Sequence, residues 1–477
     1  MAATPSSGAS FAVPALTLLI LSGCATANLE QDLTRANDEA ASFTSGTLRL
    51  ARSQDEREQR RQAAAALLTT PLGQKEAVQL ALVNSPALQT LLAQNWAQAA
   101  DAAQSGRITN PLFSFGRLSS GSELELGRTL SFGLLDLLTL PQRQRIANQR
   151  IEQTRLRLTS DVVDQVTQVR QAWVRAVAAR QTMTYARQVY LSAEAGAELA
   201  RRVEAAGNFS PVARARQQAF YADAATRLAS AQQQKTATHE ALIRLLGLDD
   251  GQSQQMKLPD RLPNLPPQAL PPEQVAQTAN QNRLDVRLAQ SAWNAAAQAR
   301  GLNTITRVTD IELGIRRNTV FDNASASSTT QRGYDISVRL PVFDWGDMQG
   351  DAMDARALAA ANHLEATVRA AGSSLREHYG AYRTAYDIVR HYRDEVMPLR
   401  QTIARENQRR YNGMLIGVFE LLADARDQVE TVLAAIGAEQ QFWLADAALQ
   451  AAIIGRPAGI APADPDTAPP AAAVQGH

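Results

Sequence analysis

Hydrophobic and polar positions alternate in four short stretches of the chain. Glu123–Phe132 (ELELGRTLSF) puts Leu124, Leu126, Leu130 and Phe132 on one face and Glu123, Glu125, Gly127, Thr129 and Ser131 on the other. Asp310–Arg316 sets Ile311, Leu313 and Ile315 against Asp310, Glu312, Gly314 and Arg316, and Tyr334–Leu340 alternates as cleanly. Pro111–Leu118 is weaker, with Phe113 and Phe115 on one side. A period of two predicts strands, here arranged as two hairpins. One hairpin turns near Ser119–Ser122 and the other through a long polar connector, Phe321–Gln331. Four strands close no barrel by themselves. Charged residues opposite apolar ones fit a sheet between lipid and water, or a small antiparallel sheet packed on helices.

After each hairpin the period lengthens. Gln142–Val203 contains no proline, and Val162, Val166, Val169 and Trp173 follow the 4-3-4 spacing of a coiled-coil seam. At about 1.5 Å per residue, a helix of about sixty residues reaches roughly 90 Å. Asp347–Tyr411 predicts a second such helix, with Pro398 expected to kink or break it. Turn signals follow at Gly207-Asn208-Phe209-Ser210-Pro211 and from Tyr411-Asn412-Gly413 through Gly417, and shorter helices return over Val212–Leu246 and Phe419–Ile454. Helices this long need neighbours along their length, from this chain and from other subunits.

The two halves repeat one plan. Aligning Asn84 with Asn282 places Ala81 against Ala279 and Leu88 against Val286, and further on Val162, Val169 and Trp173 align with Val368, Leu375 and Tyr379. A period this long implies duplication of a whole structural unit rather than a solenoid. The expected organisation is a first repeat over 73–257, a Pro-rich linker over 258–272, a second repeat over 273–455 and a disordered Pro/Ala-rich tail over 456–477. Residues 24–72 form an N-terminal arm, expected to be a solvated helix or extended segment.

The start of the chain resembles a processing signal. Phe11–Leu21 is apolar but too short to span a bilayer, and it runs into Leu21-Ser22-Gly23-Cys24, which resembles a bacterial lipobox. Residues 1–23 are therefore expected to be a lipoprotein signal peptide, with Cys24 lipidated and anchoring the chain to a Gram-negative envelope membrane.

Composition removes other classes. The 48 basic and 47 acidic residues leave a net charge of +1, which gives no electrostatic reason to expect nucleic acid. A single cysteine among 477 residues excludes a disulfide framework and a zinc site of several thiolates. No nucleophile–base arrangement and no phosphate-binding glycine loop is present, so neither an enzyme nor a cofactor is expected. Histidines 239, 363, 378 and 391 are not spaced to put two ligands on adjacent helical turns, and Met348 and Met353 suit packing, so no metal site is expected.

The order of elements resembles the TolC-like outer-membrane efflux proteins. Glu204–Gly247 resembles the family's helix-tip turn and returning helix, as does Arg410–Gly455 with Tyr411, Glu420-Leu421-Leu422, Ala425 and Gly455. Leu340-Pro341-Val342-Phe343-Asp344-Trp345-Gly346 resembles the junction of strand and long helix, with Trp345 suited to a membrane interface. Ala77–Leu88 resembles the opening helix. Two departures stand out: Ser131–Asp136 lacks the Pro-apolar-Phe form, and Gly413 lies one place early relative to the family's Tyr-x-x-Gly.

The resemblance implies a mainly α chain with a small β part. Long coiled-coil hairpins in two repeats and four strands per chain would close, as a homotrimer, into an α-barrel tunnel and a twelve-stranded transmembrane β-barrel. Its function would be passive conduction for a tripartite exporter, with a periplasmic adaptor protein and an inner-membrane pump, expected to be of RND type. Its place would be the outer-membrane lipid, extending into the periplasm. The competing reading is a periplasmic coiled-coil structural or adaptor-type lipoprotein. An adaptor would carry one hairpin and a lipoyl-like β domain, whereas this chain has two hairpins and two strand pairs.

By the same resemblance, polar residues near the helix tips would hold the periplasmic mouth closed. Arg214, Glu420, Asp424 and Arg426 are the gate candidates, set against their bland reading as solvated helix charges. Asn208, Phe209, Ser210, Leu415, Ile416 and Val418 are the candidate adaptor contacts, since apolar residues at a turn suit either a partner or the cap of a coiled coil.

Overall fold

The structure, a computed structural model, describes residues 28–306, 311–322, 324–340, 342–343 and 345–455. The expected signal segment with Cys24, the tail over 456–477, and Pro341 and Asp344 of the strand–helix junction lie outside the described residues. The chain divides into two compact units.

The first unit holds the described parts of Met1–Asp32, Ala93–Arg157 and Val286–Val368, and it carries the sheet. Strands β1 (Leu112–Ser120), β2 (Glu123–Gly133), β3 (Ile311–Asp322) and β4 (Ser327–Val338) lie in the order β1-β2-β3-β4, every neighbouring pair antiparallel. The two hairpins thus join into one sheet through β2 and β3, and the outer sides of β1 and β4 are its edges.

The first hairpin turns in two residues, with Gly121 at φ +59° in the first central position, the place a II′ turn reserves for glycine. The second differs from expectation. Most of the polar connector Phe321–Gln331 is strand, and the turn is confined between the paired Asp322 and Ser327. The Asp322 carboxylate accepts from the Ala324 N–H at 2.9 Å and the Ser325 hydroxyl at 2.6 Å, so a side chain closes a turn that composition alone made look like a long loop.

The second unit holds Leu33–Leu92, Leu158–Asp285 and the described part of Arg369–His477. Its longest helical segment belongs to α5, which runs as one helix over Leu134–Ala205. Earlier helices are α1 (Leu29–Thr44), α2 (Gln54–Leu67), α3 (Gln74–Asn84) and α4 (Pro86–Ser105). Helix α5 begins eight residues before the expected Gln142, because Pro141 lies only two turns from its start, where the missing N–H costs one bond. The seam residues Val162, Val166, Val169 and Trp173 are all buried, and the Trp173 indole donates to the Leu72 carbonyl at 2.7 Å.

The N-terminal arm is not solvated throughout. Leu33, Ala36, Phe43 and Leu48 are buried, and the Arg170 guanidinium sits 4.2 Å from the Phe43 ring centre while donating to the Phe43 carbonyl. Apolar residues spaced along α1 account for the difference; the charges between them had dominated its composition.

Helices α6 (Pro211–Leu246), α7 (Asp250–Gln255), α8 (Pro272–Asn282) and α9 (Leu284–Thr306) follow. One corner is built twice. Asn84, at the end of α3, donates to the Gly247 carbonyl at 2.8 Å, and Gly247 takes φ +66° as the C-cap of α6. A Cβ on Gly247 would lie 2.3 Å from Pro86. In the second half Gly455, at φ +84°, caps its helix against Arg283 and Leu284, where a Cβ would meet the Leu284 nitrogen at 2.8 Å.

The second long helical run is α10 (Asp347–His391), one π-helical turn (Tyr392–Val396) and α11 (Met397–Asn412). Pro398 was expected to bend or break the helix. The chain instead widens just before it, with the Met397 N–H reaching back to the Tyr392 carbonyl. Helix α12 (Val418–Ile454) completes the unit. Around Phe442, the side chains of Tyr382, Tyr386, Val389 and Leu449 form a core. One ring of this core and two packed against it tie down the Pro-rich linker: Tyr386 donates to the Pro267 carbonyl at 3.0 Å, Tyr379 to that of Leu270 at 3.1 Å, and Trp443 to that of Pro263 at 3.2 Å.

Candidate functional site

Two helix-tip turns in the second unit gather most of the residues singled out in the sequence. The first joins α5 to α6. Its backbone bonds, Gly207 N–H to Glu204 O at 2.8 Å and Asn208 N–H to Val203 O at 3.1 Å, form a Schellman motif with Gly207 left-handed at φ +77°. Ser210 then caps α6 by accepting from the Ala213 N–H at 3.2 Å, and Pro211 sits at the first helical position.

The second tip, joining α11 to α12, repeats this loop residue for residue with other side chains. Met414 N–H bonds Tyr411 O at 2.9 Å and Leu415 N–H bonds Arg410 O at 2.8 Å. Met414 therefore takes the left-handed place, at φ +58°, and Gly417 takes the N-cap place without a side-chain cap. The early glycine noted in the sequence leaves the loop geometry unchanged and moves a side chain into the left-handed position.

The two tips touch. Phe209 stacks on Phe419, ring centres 4.2 Å apart and planes 24° from parallel. Farther along the helices, Tyr190 and Tyr221 share a hydroxyl contact at 3.0 Å, and Arg227 pairs with Glu430 at 3.2 Å.

The four gate candidates do not form one network within the chain. Arg214 pairs with Glu204 of its own hairpin at 3.1 Å. Arg426 donates to the Gln217 side chain and lies 3.8 Å above the Phe220 ring, and its burial lowers its pKa. Glu420 is exposed and Asp424 half-buried, and among the described residues neither has an ion-pair partner.

Of the candidate contact residues, Asn208, Ser210 and Leu415 are exposed, Phe209 and Val418 are half-covered, and Ile416 is buried. Sequence reasoning missed Met414 and Val212, both apolar and exposed, and missed Phe419 and Phe220 as ring partners. In a chain with 5% aromatic residues, a phenylalanine next to each turn was the available signal.

Similarity to known proteins rests on structure. No family model matches the chain, and no curated protein sequence matches it. The Campylobacter jejuni CmeC outer membrane channel superposes with a TM-score of 0.67 at 15% identity, covering 82% of this chain and 86% of that one. The Vibrio cholerae outer membrane protein VceC gives 0.64 at 15%, covering 83% and 96%. The open state of the Neisseria gonorrhoeae MtrE outer membrane channel gives 0.62 at 20%, covering 82% and 89%. The chain has the TolC-like fold. Within that TolC-like frame, the paired tips and the four-stranded sheet are the two features on which chemistry can act.

Proposed function

We propose that the protein is the outer-membrane channel of a tripartite efflux system, a homotrimer that passively conducts substrates delivered by an inner-membrane pump through a periplasmic adaptor. The observation that carries this reading is the sheet. It has one apolar face, one polar face and, among the described residues, two open edges, on a chain with the TolC-like fold.

Lipid leaves no open edge unpaired, so the edges of β1 and β4 must meet other copies. Three copies would make a closed barrel of twelve strands. Leu124, Leu126, Leu130, Phe132, Ile311, Leu313 and Ile315 would then face lipid. The opposite face, with Gly116, Gly127, Asn318 and Gln331 in one row, would line the pore. That face carries Glu123, Glu125, Glu312, Asp322 and Asp335 against Arg316 among the described residues, so the pore mouth favours cations.

The long helices of each copy would extend the pore into the periplasm. Glu420 and Asp424, without an ion-pair partner among the described residues, would meet basic residues of a neighbouring copy and hold the tips together. Exposed Met414, Leu415 and Val212 would receive the adaptor. Lipid on Cys24 would anchor each chain.

The test is the native mass of detergent-extracted protein from an outer-membrane fraction, followed by single-channel recording in a planar bilayer. A species of three chains that conducts with cation preference supports the reading. A soluble monomer that never conducts rejects it, because four strands cannot enclose a pore.

A further inference from the structure

The apolar face of the sheet carries a band of arginines. Register fixes which residues share that face, since directly paired residues point to the same side. Arg128 pairs with Arg317, and Arg317 pairs with Arg332, so three arginines stand side by side on β2, β3 and β4. Arg117 on β1 pairs with Leu126 one row nearer the turns. No carboxylate lies on this face among the described residues, whereas the opposite face holds five. None of the four arginines makes a side-chain hydrogen bond or ion pair among the described residues.

The rows on either side set the context. Between the arginines and the helix-bearing end of the sheet lie Phe113, Leu130, Ile315 and Tyr334, then Phe132, Leu313 and Ile336, then Ile311 and Val338. Toward the turns the face becomes mixed, with Thr319, Thr330, Ser119 and Ser328 beside Leu124, Leu126 and Phe321. The arginine row is therefore the boundary where the purely apolar band stops.

Adjacent like charges across a sheet repel, and arginine on a lipid-facing strand is costly at the bilayer centre and nearly free at its interface. Both costs fall if the row lies at the headgroup level beside an anion. Guanidinium groups match phosphate oxygens in pairs. We propose that Arg128, Arg317 and Arg332, with Arg117 beside them, form a binding site for the phosphate headgroup of a membrane lipid whose acyl chains lie along the apolar rows beneath. This rests on the proposal that the apolar face meets lipid. It adds a ligand class and fixes how deep the sheet sits.

The experiment uses the full chain, extracted in detergent, with diphosphorylated lipid A, fully dephosphorylated lipid A and inorganic phosphate as probes in native mass spectrometry. Diphosphorylated lipid A is expected to be retained roughly tenfold or more over the dephosphorylated form, since each arginine near an anionic headgroup is worth about a factor of five. In Arg128→Gln/Arg317→Gln/Arg332→Gln the preference disappears while assembly and conductance persist. Equal retention of the two lipids by the unaltered protein overturns the proposal and needs no variant to fold. Inorganic phosphate competing as well as the lipid would also overturn it, by assigning the site to a free anion. A protein that conducts in a bilayer without lipid preference defeats only this inference; one that never inserts defeats the channel reading with it.

Discussion

Met414 occupies at the second helix tip the left-handed backbone position that Gly207 occupies at the first, with φ +58° and +77°. A side chain there crowds the following carbonyl at roughly 1–2 kcal/mol. Met414→Gly should therefore stabilise the second tip by about 1 kcal/mol, while Gly207→Met weakens the first by a similar amount. Hydrogen exchange at Met414 and Leu415, read against the global melting temperature, checks both.

The Phe209–Phe419 stack ties the tips to each other. Phe419→Ala removes a ring pair worth about 0.5–1.5 kcal/mol beyond its buried area. The expected result is faster amide exchange across Gly207–Ser210, with the core around Trp173 unchanged. Equal protection in the variant would mean that each tip holds its shape alone.

If Glu420 and Asp424 find basic partners on a neighbouring copy, Glu420→Gln with Asp424→Asn should loosen the closed mouth. Each exposed pair contributes about 0.2–1 kcal/mol, so several acting together would raise the resting conductance a few-fold in a planar bilayer. Unchanged leak current in the double variant would assign both acids to the solvated helix surface.

Gly247 and Gly455 are positive-φ helix caps packed against backbone. Gly247→Ala and Gly455→Ala each combine a strained backbone with a Cβ inside van der Waals distance, and each should cost about 2 kcal/mol or more. Gly437, in the middle of α12 with open space around it in the chain, provides the contrast. Gly437→Ala should gain up to about 1 kcal/mol of helix propensity. Denaturant midpoints of the three variants test the ordering.

Asp446 supplies a pH dependence. Burial raises its carboxyl pKa, with Arg170 and Gln450 pulling it partly back. The folded chain thus holds this proton to higher pH than the unfolded chain, whose value is about 3.9. The stabilisation is complete below about pH 4 and is lost as pH rises through the raised pKa. Glu439, raised by the same cause, adds to the slope. Asp446→Asn should flatten, without abolishing, the fall in melting temperature between pH 4 and pH 7.

Periodicity carried most of the fold because each element buries or presents one face. Val162, Val166, Val169 and Trp173 were legible as a seam and are buried. Trp345, expected to suit a membrane interface from its position after a strand, is exposed, and Phe343 wholly so. What was not legible came from residues acting at a distance. Asp322 closes a turn that reads as loop, and Pro398 is accommodated by a widened turn before it. At the tips, the turn residues were visible as Gly, Asn, Ser and Pro, but Phe209 meets Phe419 only after two long hairpins return to the same place. The cross-strand row of arginines is likewise absent from any local window, because its members are 189 and 15 positions apart and only the register unites them.

The outer sides of β1 and β4, unpaired among the described residues, would give the proposed channel a social mode of folding. If the sheet enters lipid as proposed, a lone copy would have no stable way in, so entry and assembly would become a single event whose rate rises steeply with the number of copies present. A variant that spoils one edge would then be dominant, since each damaged chain also traps the intact ones that join it.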